Sequence, residues 1–202
     1  MALPGGDFEL IQIMDASWAD AARRAGVHLA CRAGCTQCCH GAFAINTLDR
    51  ARLREGMEAL RAADPEKASA VEQRARGWIA EWAAEFPGDP ATGVLGESEA
   101  DEAAFEEFAN EAACPALDPE TGRCDVYAWR PMTCRVFGPP VRVEVEGPEG
   151  GLGCCELCFI GATDEEIAAC EMQVPHVEEQ RLLEAMGDES QTVVAYALVR
   201  TI

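Results

Sequence analysis

Positive charge is scarce in this chain. Its 202 residues hold 16 Lys and Arg against 36 Asp and Glu, a formal net charge of −20, and Lys67 is the single lysine. Binding a polyanion takes a dense basic surface, so this balance excludes a nucleic-acid partner and speaks against an anionic membrane surface. A solvated acidic face is the ordinary meaning of such a charge, and a docking surface for a basic protein partner is the second. Long apolar runs are missing too. No stretch of about eighteen apolar residues is there to span a bilayer. Residues 1–15 lack the basic flank and apolar run of a signal peptide. The expected location is therefore the cytoplasm, with no membrane association. Histidines number three, His28, His40 and His176, and there is neither a G-x-S-x-G elbow nor an H-E-x-x-H helix. The glycine-rich stretch 147–153 reads as a turn and lacks the spacing and the Lys of a phosphate loop. Ordinary hydrolytic and phosphate-loop chemistry is left without residues to carry it.

Cysteine, by contrast, is abundant, at eleven residues. A reducing compartment keeps thiols free, so the number favours metal ligation or redox chemistry over a disulfide framework. The densest stretch is Cys31-Arg-Ala-Gly34-Cys35-Thr-Gln-Cys38-Cys39-His40, with four thiols in nine residues. Near-neighbour cysteines rarely reach the Cα separation and dihedral of a disulfide. The stretch reads as a metal-ligand loop, with Gly34 and Gly41 letting it wrap tightly around an ion. His40 is read as a neighbour of the site rather than a ligand.

A second region carries Cys114, Cys124 and Cys134. Residues 118–122 predict a turn that sets Cys114 and Cys124 facing each other across a short hairpin. Pro131 suits the first turn of a helix, with Cys134 just inside it, where the dipole and free N–H groups favour a thiolate. Arg123, Arg130 and Arg135 bring positive charge to these cysteines. A multi-thiolate centre is anionic and needs that local reversal of sign; pairing with the acidic surface is the competing use of these arginines. A third cluster holds Cys154, Cys155 and Cys158, the last two forming a C-x2-C knuckle. Cys170 stands alone and is expected to be a buried structural thiol.

Around the cysteines the pattern is mostly helical. Residues 8–25 place Ile11, Met14, Trp18, Ala21 and Ala22 at helical steps, with Gly26 as the stop. Thr47 is the expected N-cap of the next helix, and the Asp64-Pro65 break leads into another over about 66–85. Trp78 and Trp82 are expected to be core anchors within it. Residues 87–98 read as a surface loop, followed by an acidic helix pinned by Phe105 and Phe108. A helix through Met186 stops at Gly187, and residues 192–199 form a last helical segment closing the core. Residues 141–145 are the best strand candidate. No internal repeat is expected beyond the recurrence of paired cysteines. The whole predicts a mostly α-helical α+β fold, one domain over 1–202, organised by metal–thiolate bonds. It has a short strand or hairpin element and a helical insertion at about 65–110.

The cysteine loop, the run Cys114-Pro-Ala-Leu, the run Gly122-Arg-Cys124-Asp-Val-Tyr127 and the run Arg130-Pro-Met-Thr-Cys134-Arg-Val-Phe137 together resemble the YkgJ-type cysteine-cluster family. These are zinc- or iron-chelating domains with a CxxCxxCC signature, and the resemblance spans roughly residues 28–160. The first gap departs from it, being C-x3-C. The resemblance implies metal binding and no particular reaction. The same type of domain resembles part of flagellin lysine methylases, which keeps an enzymatic role open.

The candidate ligands are then Cys31, Cys35, Cys38, Cys39, Cys114, Cys124, Cys134, Cys154, Cys155 and Cys158. They exceed the four needed for one tetrahedral zinc or one cubane. Two arrangements follow: a single iron–sulfur cluster with spare redox cysteines, or two sites, one made partly from Cys35, Cys38, Cys155 and Cys158. Sulfur-only shells suit zinc and iron–sulfur centres alike. The irregular spacing and the nearby arginines favour an iron–sulfur cluster, 4Fe-4S in type, with zinc as the alternative. Cys31-x3-Cys35-x2-Cys38 is also the spacing of the radical S-adenosylmethionine motif. Against that stand Gln37 where an aromatic is usual, the lack of a βα repeat and the further cysteines able to fill a fourth iron site. The expected function is a metal-binding protein with a structural, redox or sensing role. An enzyme using the cluster or a spare thiol for redox or methyl-transfer chemistry is the rival reading.

Overall fold

The structure is a computed structural model that describes residues 2–143 and 151–199. Helices α1 (Asp7–Ala25), α2 (Thr47–Ala63), α3 (Pro65–Trp82), α4 (Glu99–Glu107) and α5 (Met132–Val136) are followed by α6 (Asp164–Ala168), α7 (His176–Met186) and α8 (Val194–Leu198). The strands are short: β1 (Ala44–Ile45), β2 (Gly88–Asp89), β3 (Val94–Leu95), β4 (Leu117–Asp118), β5 (Arg123–Cys124), β6 (Val141–Val143), β7 (Gly151–Gly153) and β8 (Thr192–Val193). They pair antiparallel as β1–β8, β2–β3, β4–β5 and β6–β7. This is the mostly helical α+β fold expected. The chain divides into two compact units. One holds Ala33–Pro131 and the chain from Leu183 on; the other holds Pro4–Arg32 and Met132–Leu182.

In the first unit, α2, α3 and α8 pack on one another around Ile45, Leu53, Met57, Val71, Val126 and Leu198. The cap of α2 is Asn46, one residue before the expected Thr47: its side chain accepts the Asp49 N–H at 3.0 Å. Asn caps as well as Thr, and Thr47 is then free to donate its hydroxyl to the Asp188 carbonyl at 2.9 Å. Asp64 caps α3 with Pro65 at its first position, where the missing N–H costs nothing. The helix ends at Trp82, short of residue 85. Trp78 and Trp82 meet the ring of Phe108 edge-on, with centroids 5.7 and 5.9 Å away, and Phe105 joins the same cluster. The tryptophans are core anchors, as expected. The segment at 192–199 closes the core but enters it as a strand, because Thr192 and Val193 pair with Ile45 and Ala44 before α8 begins.

Residues 87–98 contain the β2–β3 hairpin rather than a plain loop. Its turn, Asp89-Pro-Ala-Thr-Gly93, is the turn of the β4–β5 hairpin, Asp118-Pro-Glu-Thr-Gly122. In each, the Asp carboxylate accepts the N–H two residues on (2.9 and 3.0 Å) and the Thr hydroxyl (2.7 and 2.6 Å). Both glycines sit at positive φ, +74° and +65°. This D-P-x-T-G repeat corrects the expectation of no internal repeat. It is a repeat of turn chemistry, too short to be a packing unit.

In the second unit, α1 buries Leu10, Met14, Ala21 and Ala25 and stops at Gly26. It packs against α5, whose Arg135 is buried and donates to Asp15 at 2.6 Å. The strand expected over 141–145 is realised as β6, residues 144–150 lying outside the described ones. Residues 151–153, expected in a turn, pair with it as β7. Gly187 at φ +64° ends α7 as expected.

Candidate metal centre

None of the eleven cysteines is in a disulfide, and the two units divide them. Cys35, Cys38, Cys39, Cys114 and Cys124 fall in the first; Cys31, Cys134, Cys154, Cys155, Cys158 and Cys170 fall in the second.

Main-chain hydrogen bonds gather the first set. The Thr36 carbonyl accepts the Cys39 N–H at 2.8 Å, closing the 3-10 turn 37–39 that holds Cys38 and Cys39. An isolated antiparallel bridge joins His40 to Ala113, and the Cys114 N–H donates to the Cys39 carbonyl at 2.8 Å. Cys39 and Cys114 therefore lie opposite each other, though 75 positions apart in sequence. Gly41, at φ +89°, sits where a Cβ would be 3.2 Å from the Asn110 carbonyl oxygen, so the bridge needs glycine there. The β4–β5 hairpin forms as expected, but its register opposes Cys124 to Leu117 rather than to Cys114. Cys114 instead begins the turn into β4, its carbonyl accepting the Leu117 N–H at 2.9 Å. At the tip of the hairpin, a Cβ on Gly122 would stand 3.5 Å from the Gly34 oxygen and from Thr36. That packing lays the Cys35 segment on the hairpin that carries Cys124.

The thiols feel one another. Cys39 donates its S–H to Cys38 and lowers the Cys38 thiol to about 6, with Arg130 helping. The same bond, then burial and the charge of Cys38, raise Cys39 well above the usual thiol range. Burial raises Cys114, against the N–H groups of Ala116 and Leu117 and the charge of Arg74. Burial and then Cys114 push Cys124 up to about 12. Like-charge crowding of this kind is what a bound cation relieves, since ligation takes the thiolate form and releases the proton. The donors are sulfur throughout, matching soft or borderline metals and iron–sulfur clusters.

Of the expected arginines, Arg130 acts here. Its guanidinium lies 4.1 Å from the Tyr127 ring centroid and bears on Cys38 and Cys124. Arg123 is exposed on the hairpin, and Arg135 is engaged with Asp15. Arg74 of α3 was not legible as a site residue, because a helix face does not tell which distant hairpin it meets. It donates to the Pro115 carbonyl at 2.9 Å and to Asp125 at 2.6 Å, tying both sides of the hairpin to α3.

In the second unit, Cys31, Cys155, Cys158 and Cys170 pack in one cluster with Ala25 and Phe159. Cys170 is buried, as expected. Cys134 sits within α5. Cys154 is exposed, and its thiol is raised by partial desolvation and then by Cys158. Among the described residues, no group of three Cys, His, Asp or Glu side chains forms a ready-made coordination shell. The sulfur donors are gathered but not closed around a point.

A family model for the CxxCxxCC domain, described as zinc- or iron-chelating, matches residues 30–143. No curated protein and no solved structure matches the chain.

Proposed function

The chain belongs to the CxxCxxCC family of zinc- or iron-chelating domains, and on that premise we propose that its first unit holds an iron–sulfur cluster in a structural, redox or sensing role. Cys38, Cys39, Cys114 and Cys124 are the ligands, with Cys35 beside them. The observation that carries the reading is the main-chain gathering of an all-sulfur donor set, with the Cys114 N–H on the Cys39 carbonyl and Cys124 on the β4–β5 hairpin that starts beside Cys114. When bound, such a cluster supplies one-electron chemistry and a cross-link between distant segments. The chain's own residues do the rest. Arg130 and Arg74 offset thiolate charge, while the 39–114 bridge and the β4–β5 hairpin fix where the sulfurs start from. A reducing compartment, the cytoplasm in our reading, suits eleven cysteines without a disulfide.

Zinc is the second reading, favoured by the hydrogen-bonded frame around Cys39, Cys114 and Cys124, which suits a closed structural ion. Anaerobic purification with metal and sulfide analysis and an absorbance spectrum tests the proposal. Stoichiometric iron and sulfide with a visible thiolate-to-iron band support the cluster. A colourless protein with bound zinc turns the site structural, and a protein without metal overturns metal binding.

A further inference from the structure

We propose that Cys31, Cys155, Cys158 and Cys170 form a second metal site, in the other unit, that takes a zinc-class divalent ion through four thiolates. It extends the metal-chelating reading above and rests on it. Three of its four ligands lie beyond residue 143, where the family match ends.

Four segments meet there. Cys155 and Cys158 form a tight knuckle in which the Cys158 N–H donates to the Cys155 carbonyl at 2.8 Å. The backbone N–H of Ala30, next to Cys31, donates to the Cys158 sulfur at 3.4 Å. A C-x2-C turn is the usual knuckle of a thiolate zinc site, and here the neighbour of Cys31 is tied to its second sulfur. Gly138 supplies the third tie. Its carbonyl accepts the Cys155 N–H at 3.3 Å, and a Cβ in its place would lie 2.8 Å from the Cys31 sulfur. Cys31 and Cys155 thus converge on one glycine.

Cys170 comes in on the fourth segment. Arg24 of α1 donates to the carbonyls of Ala169 and Glu171, on either side of it, and the Met172 N–H donates to the Pro140 carbonyl at 2.7 Å. The segment is held at both ends.

Phe159, Ala25, Leu29 and Ile167 pack in the same cluster as the four cysteines. Packing alone gives no reason for four oxidisable thiols in one cluster, since Ala, Val or Leu would fill the volume without that liability. The sulfurs do not yet enclose a point, so binding turns the side chains about χ1, their one heavy-atom torsion, and releases protons.

The test adds Zn2+ to the reduced full-length chain, counts bound metal by native mass spectrometry and follows thiol alkylation residue by residue. One equivalent is expected at this site, whatever the first unit holds. Zinc should slow alkylation at Cys31 and Cys155, which are half-buried, and leave exposed Cys154 unchanged; protection of Cys154 instead, or no change at Cys31 and Cys155, overturns the assignment. This footprint is read on the unsubstituted chain, so it does not depend on any variant folding. The double variant Cys155→Ser/Cys158→Ser should lose that equivalent, and its retention overturns the site. An equivalent lost only in Cys38→Ser/Cys114→Ser overturns this site and leaves the first standing. No zinc at all overturns this site, while the iron and sulfide analysis above tests the first one separately.

Discussion

Replacing Gly138 with Ala should destabilise the second unit through one identifiable contact. Gly138 sits at φ +113°, and an added Cβ would lie 2.8 Å from the Cys31 sulfur, 3.4 Å from Leu29 and 3.7 Å from the Trp18 indole nitrogen. A non-glycine residue at such a φ costs about 1–2 kcal/mol. Forcing a methyl into a packed site costs about 1–3 kcal/mol more, while the stiffer unfolded chain gives back about 0.4–1 kcal/mol. The sum is a loss of about 2–4 kcal/mol. Gly161 supplies the control: it has positive φ, +78°, in the same unit, with nothing within 4 Å of an added Cβ. Gly161→Ala should cost only the conformational part, about 1 kcal/mol or less. Urea unfolding of the reduced, metal-free chain, followed by tryptophan fluorescence, measures both. The excess of Gly138→Ala over Gly161→Ala should shrink in a Cys31→Ala background, where the sulfur is gone. Equal costs for the two glycine variants, or an excess that survives Cys31→Ala, would refute the idea that Gly138 exists to admit Cys31.

Two further outcomes follow from the first unit. Asp118→Ala and Asp89→Ala remove the same turn, so each should lower the melting temperature by a similar amount. Only Asp118→Ala should also speed metal loss to a competing chelator, because its hairpin carries Cys124 where the other carries Leu95; equal metal retention would separate the hairpin from the site. In the metal-free chain, Cys38 is a thiolate above a pH of about 6, so its alkylation rate should rise through that pH and then level off. Arg130→Ala should move the midpoint upward by removing a charge that favours the thiolate. A rise centred instead at the ordinary thiol value of about 8.5 would show that Cys39 and Arg130 do not act on Cys38.

Much of the fold was legible because its signals are local. Gly26 and Gly187 stop helices through their own backbone freedom, and Asp64-Pro65 both ends one helix and starts the next. Trp78 and Trp82, one helical turn apart, have to share a face. The exceptions are cases where two residues offer the same chemistry or where a partner lies far away. Asn46 took the cap expected of Thr47 because both side chains can accept the N–H, and the remote Asp188 carbonyl claimed the threonine. Residues 192–193 are β-branched, but a two-residue run is too short to mark a strand, and their pairing with 44–45 is a long-range event. The shared D-P-x-T-G turn was present in the sequence, but two five-residue copies signal a turn and not a repeat architecture.

The sequence by itself determined the chemistry available: eleven thiols, few cations, and helices and turns in nearly the right places. Ligand type and local backbone preference are properties of neighbouring residues, so they survive without a fold. Only the tertiary structure decided which thiols keep company. Cys31 and Cys35 belong to one dense loop in sequence, yet they fall in different compact units. Cys39 and Cys114 meet through a single backbone bridge. Cys170, which looked solitary, packs with Cys31, Cys155 and Cys158 because Arg24 and Pro140 hold its segment there. Spacing along a chain sets only how near two residues can come; the burial and hydrogen bonding of everything between them sets whether they do.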